Sequence, residues 1–133
     1  MSVSLIPLYC LAAAAALIYL PFVVVAFARL QIGLDYSAPR AMFDKLPPYA
    51  QRATWAHQNA FESFPLFAAA VLMVYLTHRE GTLVNTLAIA YLPVRLAYSF
   101  FYIADIPPLR SAMWALGMVC IGGLMAIALR LVG

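Results

Sequence analysis

Residues 49–76 read YAQRATWAHQNAFESFPLFAAAVLMVYL, and the solvent that surrounds this stretch decides the fold. Its second half is an uncharged apolar run, while its first half sets Arg52, His57, Asn59 and Glu62 among alanines and aromatic residues. At 1.5 Å per residue a helix of this length crosses the roughly 30 Å of a bilayer's hydrocarbon core with polar turns left over. Three more stretches, 5–30, 83–103 and 111–131, are apolar and long enough to do the same. Backbone groups in lipid must be satisfied within their own segment, so these runs read as helices. The period-2 alternation of a membrane barrel is absent. Short connections make consecutive helices antiparallel neighbours. The expected fold is an all-α integral membrane protein, one domain over residues 1–133 built as a four-transmembrane-helix antiparallel bundle.

Composition agrees. Hydrophobic residues make up 66% of the chain and charged residues 10%, against roughly 45–50% and 25% in soluble domains. A soluble fold of this size leaves too much area exposed to hide that apolar surface. The net charge of +3 is small and scattered, and no basic stripe interleaves with aromatics, which excludes a nucleic-acid interface. Cys10 and Cys120 lie far apart inside apolar runs, the pattern of neither a disulfide framework nor a zinc site. No metal is expected. Residues 5–30 have no basic segment before them and exceed the 7–15 residues of a signal-peptide core, so they read as one retained helix.

Charge sets the expected orientation. Arg29, Arg40, Lys45 and Arg52 lie in or beside the connection 31–48, whereas the second connection carries only Arg79 with Glu80. The positive-inside rule places the first loop, and with it the third connection at 104–110, in the cytoplasm. Arg130, near the C-terminus, pulls the other way. The alanine-rich simplicity of the chain and the lack of a targeting segment lean toward a bacterial inner membrane.

Two polar stripes run where lipid would not tolerate them. At roughly 100° per residue, Arg52, Trp55, Asn59 and Glu62 fall within about 80° of one another, and Tyr91, Arg95, Tyr98 and Tyr102 within about 60°. A charge near the bilayer centre costs on the order of 2.5–3.5 kcal/mol, so such residues ordinarily face the bundle interior and pair. Arg95 lies roughly 12 Å from the cytoplasmic end of its helix, and Asn59 and Glu62 roughly 15–20 Å along theirs. The matching depths predict a Glu62–Arg95 salt bridge with Asn59 beside it. That pair could serve helix register alone. The collection of Arg52, Arg110, Tyr98 and Tyr102 at the same end favours an opening for a polar anionic ligand. Tyr91 reads as belt or core, His57 as an interfacial polar residue, and Trp55 as an anchor. Pro65 and Pro93 should weaken their helices locally. Pro107-Pro108 should form a stiff lead into the fourth helix, with Ser111 near its N-cap and Arg110 at the membrane surface, where a plain positive-inside anchor is the competing reading.

These residues resemble the family of membrane-associated proteins in eicosanoid and glutathione metabolism. The resemblance is carried by Arg52 and Ala56-His57-Gln58-Asn59-Ala60-Phe61-Glu62-Ser63-Phe64-Pro65-Leu66-Phe67, by Arg95-Leu96-Ala97-Tyr98 with Tyr102, and by Pro108-Leu109-Arg110-Ser111. The combination Asn-x-x-Glu-x-x-Pro inside a span is uncommon, and the layout matches over essentially the whole chain. The resemblance implies a homotrimer with glutathione bound between subunits near the cytoplasmic side. It implies that Asn59, Glu62, Arg95, Tyr98 and Tyr102 line or brace that site, and Arg52, at the same end, joins them as a candidate binding residue. Arg110, followed by Ser111, would stabilise the glutathione thiolate for attack on a small hydrophobic electrophile arriving through the membrane lipid. A thiol of pKa near 8.5 becomes nucleophilic when a guanidinium lowers that value.

Two departures stand out. Several eukaryotic members carry an arginine where this chain has Trp55, which weakens the grip on a glutathione carboxylate unless Arg52 or Arg29 substitutes. The stretch from Tyr102 to Arg110 is also one residue shorter than in some members. The leading expectation is a membrane-bound glutathione transferase or peroxidase acting on lipophilic electrophiles or hydroperoxides. Its rivals are a non-catalytic membrane protein that binds a lipid or thiol in the same pocket, and a small proton-coupled transporter using Glu62 as its titrating carboxylate.

Overall fold

A computed structural model describes residues 4–133; the first three residues of the chain lie outside the described residues. Proline and apolar length set most of the elements. Helix α1 covers Ile6–Leu17 and α2 Leu20–Ile32, a 3-10 helix covers Pro39–Lys45, and α3, α4 and α5 cover Pro48–Leu76, Thr82–Ile103 and Pro107–Ala128. Proline occupies the first turn of α1, α2, α3 and α5, where its missing N–H costs nothing and its fixed φ suits the helix. No strand occurs among the described residues. Four helical spans, Ile6–Ile32 (α1 and α2 together), Pro48–Leu76, Thr82–Ile103 and Pro107–Ala128, are long and apolar enough to cross a membrane. The protein is a multi-pass membrane bundle.

Three expectations are corrected. The first span is not one continuous helix: it breaks at Ile18-Tyr19, because Pro21 cannot donate to the carbonyl of Leu17 and its ring crowds that carbonyl. The break redirects the chain, so α1 packs on α4 and α3 while α2 packs on α3. The fourth span starts at Pro107, with Ile106 at the N-cap, because proline belongs inside the first turn rather than ahead of it; Ser111 is therefore a helical residue. The third correction concerns α3. Its buried face is Ala50, Ala53, Ala56, Ala60, Ser63, Phe67 and Ala70, and all of these but Phe67 are small residues that let neighbouring backbones approach. The polar stripe turns away from that face, and Glu62 is exposed on the single chain. Helices α3 and α4 run unbroken through Pro65 and Pro93.

Two apolar cores result. One joins α1, α3, α4 and α5 around Phe67, Val71, Val74, Ala88, Ile121 and Leu124. The other, at the end bearing the first loop, gathers Val25, Ala28, Leu46, Ala50 and Ala53. Helices α4 and α5 share the most extensive contact; a Cβ at Gly123 would stand 2.9 Å from Leu87 Cδ1, so a larger residue there would have to displace the end of the Leu87 side chain. Between the two cores lies a polar layer.

Candidate functional site

The polar layer starts at Ser63 and Tyr91, whose hydroxyls meet at 2.7 Å in the interior. Tyr91 also stacks on Phe67 with ring centroids 3.8 Å apart, which makes it a core residue. One turn on, Arg95 is 6% exposed. Its Nη2 donates to Asn59 Oδ1 at 2.9 Å, and Asn59 Nδ2 donates to Glu62 Oε2 at 3.3 Å. The expected direct Glu62–Arg95 salt bridge does not form. Asn59 stands between the two charges and relays the contact, because Glu62 points outward from α3 while Arg95 stays inside. Arg95 Nη1 is buried without a hydrogen-bond partner, and the guanidinium lies 4.1 Å from the centroid of the Tyr98 ring, a cation–π contact.

Tyr98 leads toward the loop end. Its ring meets Tyr102 edge to face at 5.7 Å, and Arg110 sits over the Tyr102 ring at 4.8 Å. Tyr98, Tyr102, Arg110, Ser111 and Trp114 line one open groove of about 270 Å³. The α4 stripe and the first two turns of α5 thus place two phenols, a guanidinium and a hydroxyl around a common space. Trp114, 45% exposed, is the groove residue that the sequence reading missed. Its signal was present: it follows Arg110 by four residues and Ser111 by three, the spacing of one helix face.

The remaining residues sort themselves by what they touch. Arg52 Nε donates to the Ile103 carbonyl at 3.0 Å, bracing α4 from α3. Trp55 packs between Phe43 and Tyr102, at 5.6 and 6.4 Å. Arg29 lies away from the groove, 5.8 Å from the Phe22 ring, in a separate cleft with Leu30, Leu34 and Tyr36. His57 is held within the chain. Its Nδ1 donates to the Ile18 carbonyl at 2.7 Å, at the break in the first span, and Tyr19, Phe22 and Phe61 surround its ring. Both cysteines are buried and unpaired, and no cluster of metal-ligating residues occurs among the described residues.

Comparison with curated proteins and with solved structures found no match. A family model did match, that of the MAPEG family, over residues 6–130. That span takes in all four helical spans, the Asn59–Glu62–Pro65 segment of α3 and the groove at Arg110. The four apolar spans, the polar layer between them and this match over nearly the full length agree, and the chain belongs to the MAPEG family.

Proposed function

We propose that this protein is a membrane-bound glutathione transferase or peroxidase that activates the glutathione thiol at Arg110. Its family includes glutathione transferases and related membrane proteins. The observation that carries the reading is the groove in which Arg110 and Ser111 face Tyr98 and Tyr102. A guanidinium held over an aromatic ring is fixed in place yet keeps edge N–H groups for an anion, and the Ser111 hydroxyl adds a donor. Glutathione supplies a thiol, two carboxylates and an ammonium. The exposed Glu62 carboxylate suits the ammonium, and the unpartnered Arg95 Nη1 suits an anionic group or a bridging water.

Arg110 holds the thiol as thiolate, its proton having passed to solvent. Sulfur then bonds to the electrophilic carbon of a lipophilic substrate, whose leaving group departs with the electron pair. With a hydroperoxide, sulfur takes the terminal oxygen as the O–O bond breaks, the alkoxide leaves with the bonding pair and takes a proton from solvent to give the alcohol, and a second glutathione converts the sulfenic acid to disulfide and water. In this reading three copies assemble, each covering its neighbour's polar stripe, and the site opens to the cytoplasm with the first loop, in a bacterial inner membrane. Arg29, Arg40, Lys45, Arg52 and Arg110 cluster at that end, while Arg79 and Arg130 lie at the other, which supports the orientation.

Glutathione titration into detergent-purified protein, followed by thiolate absorbance in the ultraviolet, tests the proposal. Saturable thiolate that falls by at least about tenfold in Arg110→Ala is expected, since a lost guanidinium moves a neighbouring pKa by a unit or more. Binding without thiolate would instead favour a carrier. One rival draws on a specific observation: Glu62 is not paired directly with a cation, as a titrating transport carboxylate requires. A Glu62→Gln variant that keeps glutathione binding but loses a proton-driven flux would favour the transporter.

A further inference from the structure

The α4–α5 connection joins the two helices that line the groove, with Tyr102 one residue before the end of α4 and Arg110 in the first turn of α5. Helix α4 ends in a six-residue closure: the Ile106 N–H donates to the Phe101 carbonyl at 2.9 Å and the Asp105 N–H to the Tyr102 carbonyl at 3.2 Å. Asp105 takes the left-handed conformation this closure demands, with φ of 60°. The Ala104 N–H donates to the Phe100 carbonyl at 2.9 Å. The closure therefore serves the carbonyls of residues 100, 101 and 102 and passes over that of Ile103, the last residue of the helix. Arg52 Nε, reaching across from α3, donates to that carbonyl at 3.0 Å. The bond is charge-assisted and opposes the negative end of the α4 dipole. Four residues after Ile103 α5 begins, and the Arg110 N–H makes one of its first helical bonds, to the Ile106 carbonyl at 3.0 Å.

We infer that Arg52 is a positioning residue rather than a ligand for glutathione: it pins the end of α4 to α3 and so sets where Tyr102 and Arg110 stand in the groove. Tyr102 immediately precedes the pinned carbonyl, and its ring touches both Trp55, one turn along α3 from Arg52, and Arg110. The bond thus ties α3, α4 and α5 together at one point of the site. The inference rests on the proposed thiol activation for its functional consequence, although the pinning itself does not.

The two possible roles of Arg52 separate in a thiolate titration across pH. A positioning residue governs the bound thiol's ionisation. A carboxylate ligand governs affinity. Arg52→Ala should raise the apparent pKa of bound glutathione enough to leave about tenfold less thiolate near neutrality, one pKa unit, with the dissociation constant changed less than about threefold. Arg52→Lys, which retains a donor of similar reach, should recover most of the thiolate. A large loss of affinity with normal thiol ionisation would overturn the inference and make Arg52 a ligand. Hydrogen exchange supplies a readout that needs no thiol. Amides of 104–106 should exchange several-fold faster in Arg52→Ala than in the wild type or Arg52→Lys. Unchanged exchange there overturns the inference even if glutathione is never bound, while a wild type that forms no thiolate overturns the functional proposal alone.

Discussion

Asn59 does at residue scale what a direct ion pair was expected to do. Its amide accepts from Arg95 and donates to Glu62, so removing it leaves a second guanidinium nitrogen of a buried arginine without its partner. An unsatisfied buried donor costs about 1–3 kcal/mol, and more when charged. Asn59→Leu should therefore lower stability by at least that amount in a detergent melt. Glu62→Gln keeps an acceptor oxygen toward Asn59 and leaves the Asn59–Arg95 bond in place, so its loss should be smaller than that of Asn59→Leu. Equal losses in the two variants would show that Glu62 and Arg95 are coupled directly after all. The sequence placed Asn59 beside this contact but not within it. Periodicity fixes which residues share a face, and the two stripes were readable at that level. It does not fix which face turns inward. The spacing of Ala50, Ala53, Ala56 and Ala60 held that information, since small residues let membrane helices approach, but the reading weighed charge above size and turned the polar stripe toward the core.

At the scale of elements, the break in the first span depends on two residues 36 positions apart, Pro21 and His57. Pro21 opens the turn, and the Ile18 carbonyl left there accepts from His57 on α3. Hydropathy is blind to such a break because the residues on both sides remain apolar. Proline was visible, yet membrane helices often continue through it, as α3 and α4 do here at Pro65 and Pro93. A double-mutant cycle tests the coupling. His57→Ala should cost about 1–3 kcal/mol by orphaning a buried carbonyl. In a Pro21→Ala background the turn can close and give Ile18 a backbone donor from Phe22, so the same change should cost less, with a coupling of about 0.5–3 kcal/mol. Strict additivity would mean that His57 contributes only ring packing against Tyr19, Phe22 and Phe61. The helix ends were equally hidden. His78, Asp105 and Arg130 all take positive φ, between 54° and 61°, at positions where glycine would have announced the stop.

For the whole molecule the decisive fact is what the single chain leaves uncovered. The buried face of α3 is mostly alanine in its first half, while Trp55, Gln58, Phe61 and Glu62 are exposed on its outer side, at depths where the surrounding solvent is lipid. A carboxylate facing hydrocarbon costs a few kcal/mol, and Glu62 has only a 3.3 Å contact with a neutral amide to offset it. In the proposed homotrimer a neighbouring chain's surface, not lipid, meets this face. A two-fold contact through this face would set it against its own copy, Glu62 carboxylates included, whereas a head-to-tail ring sets it against a different surface of the neighbour, and a ring of three is the smallest such assembly. Native mass spectrometry of the detergent-solubilised protein should therefore give a particle of three times the 14.6 kDa chain. That mass should persist on dilution, because the contact buries groups that are costly to return to lipid. A stable monomer would show that Glu62 is tolerated in lipid as it stands, and would leave the groove at Arg110 as a site complete within one chain.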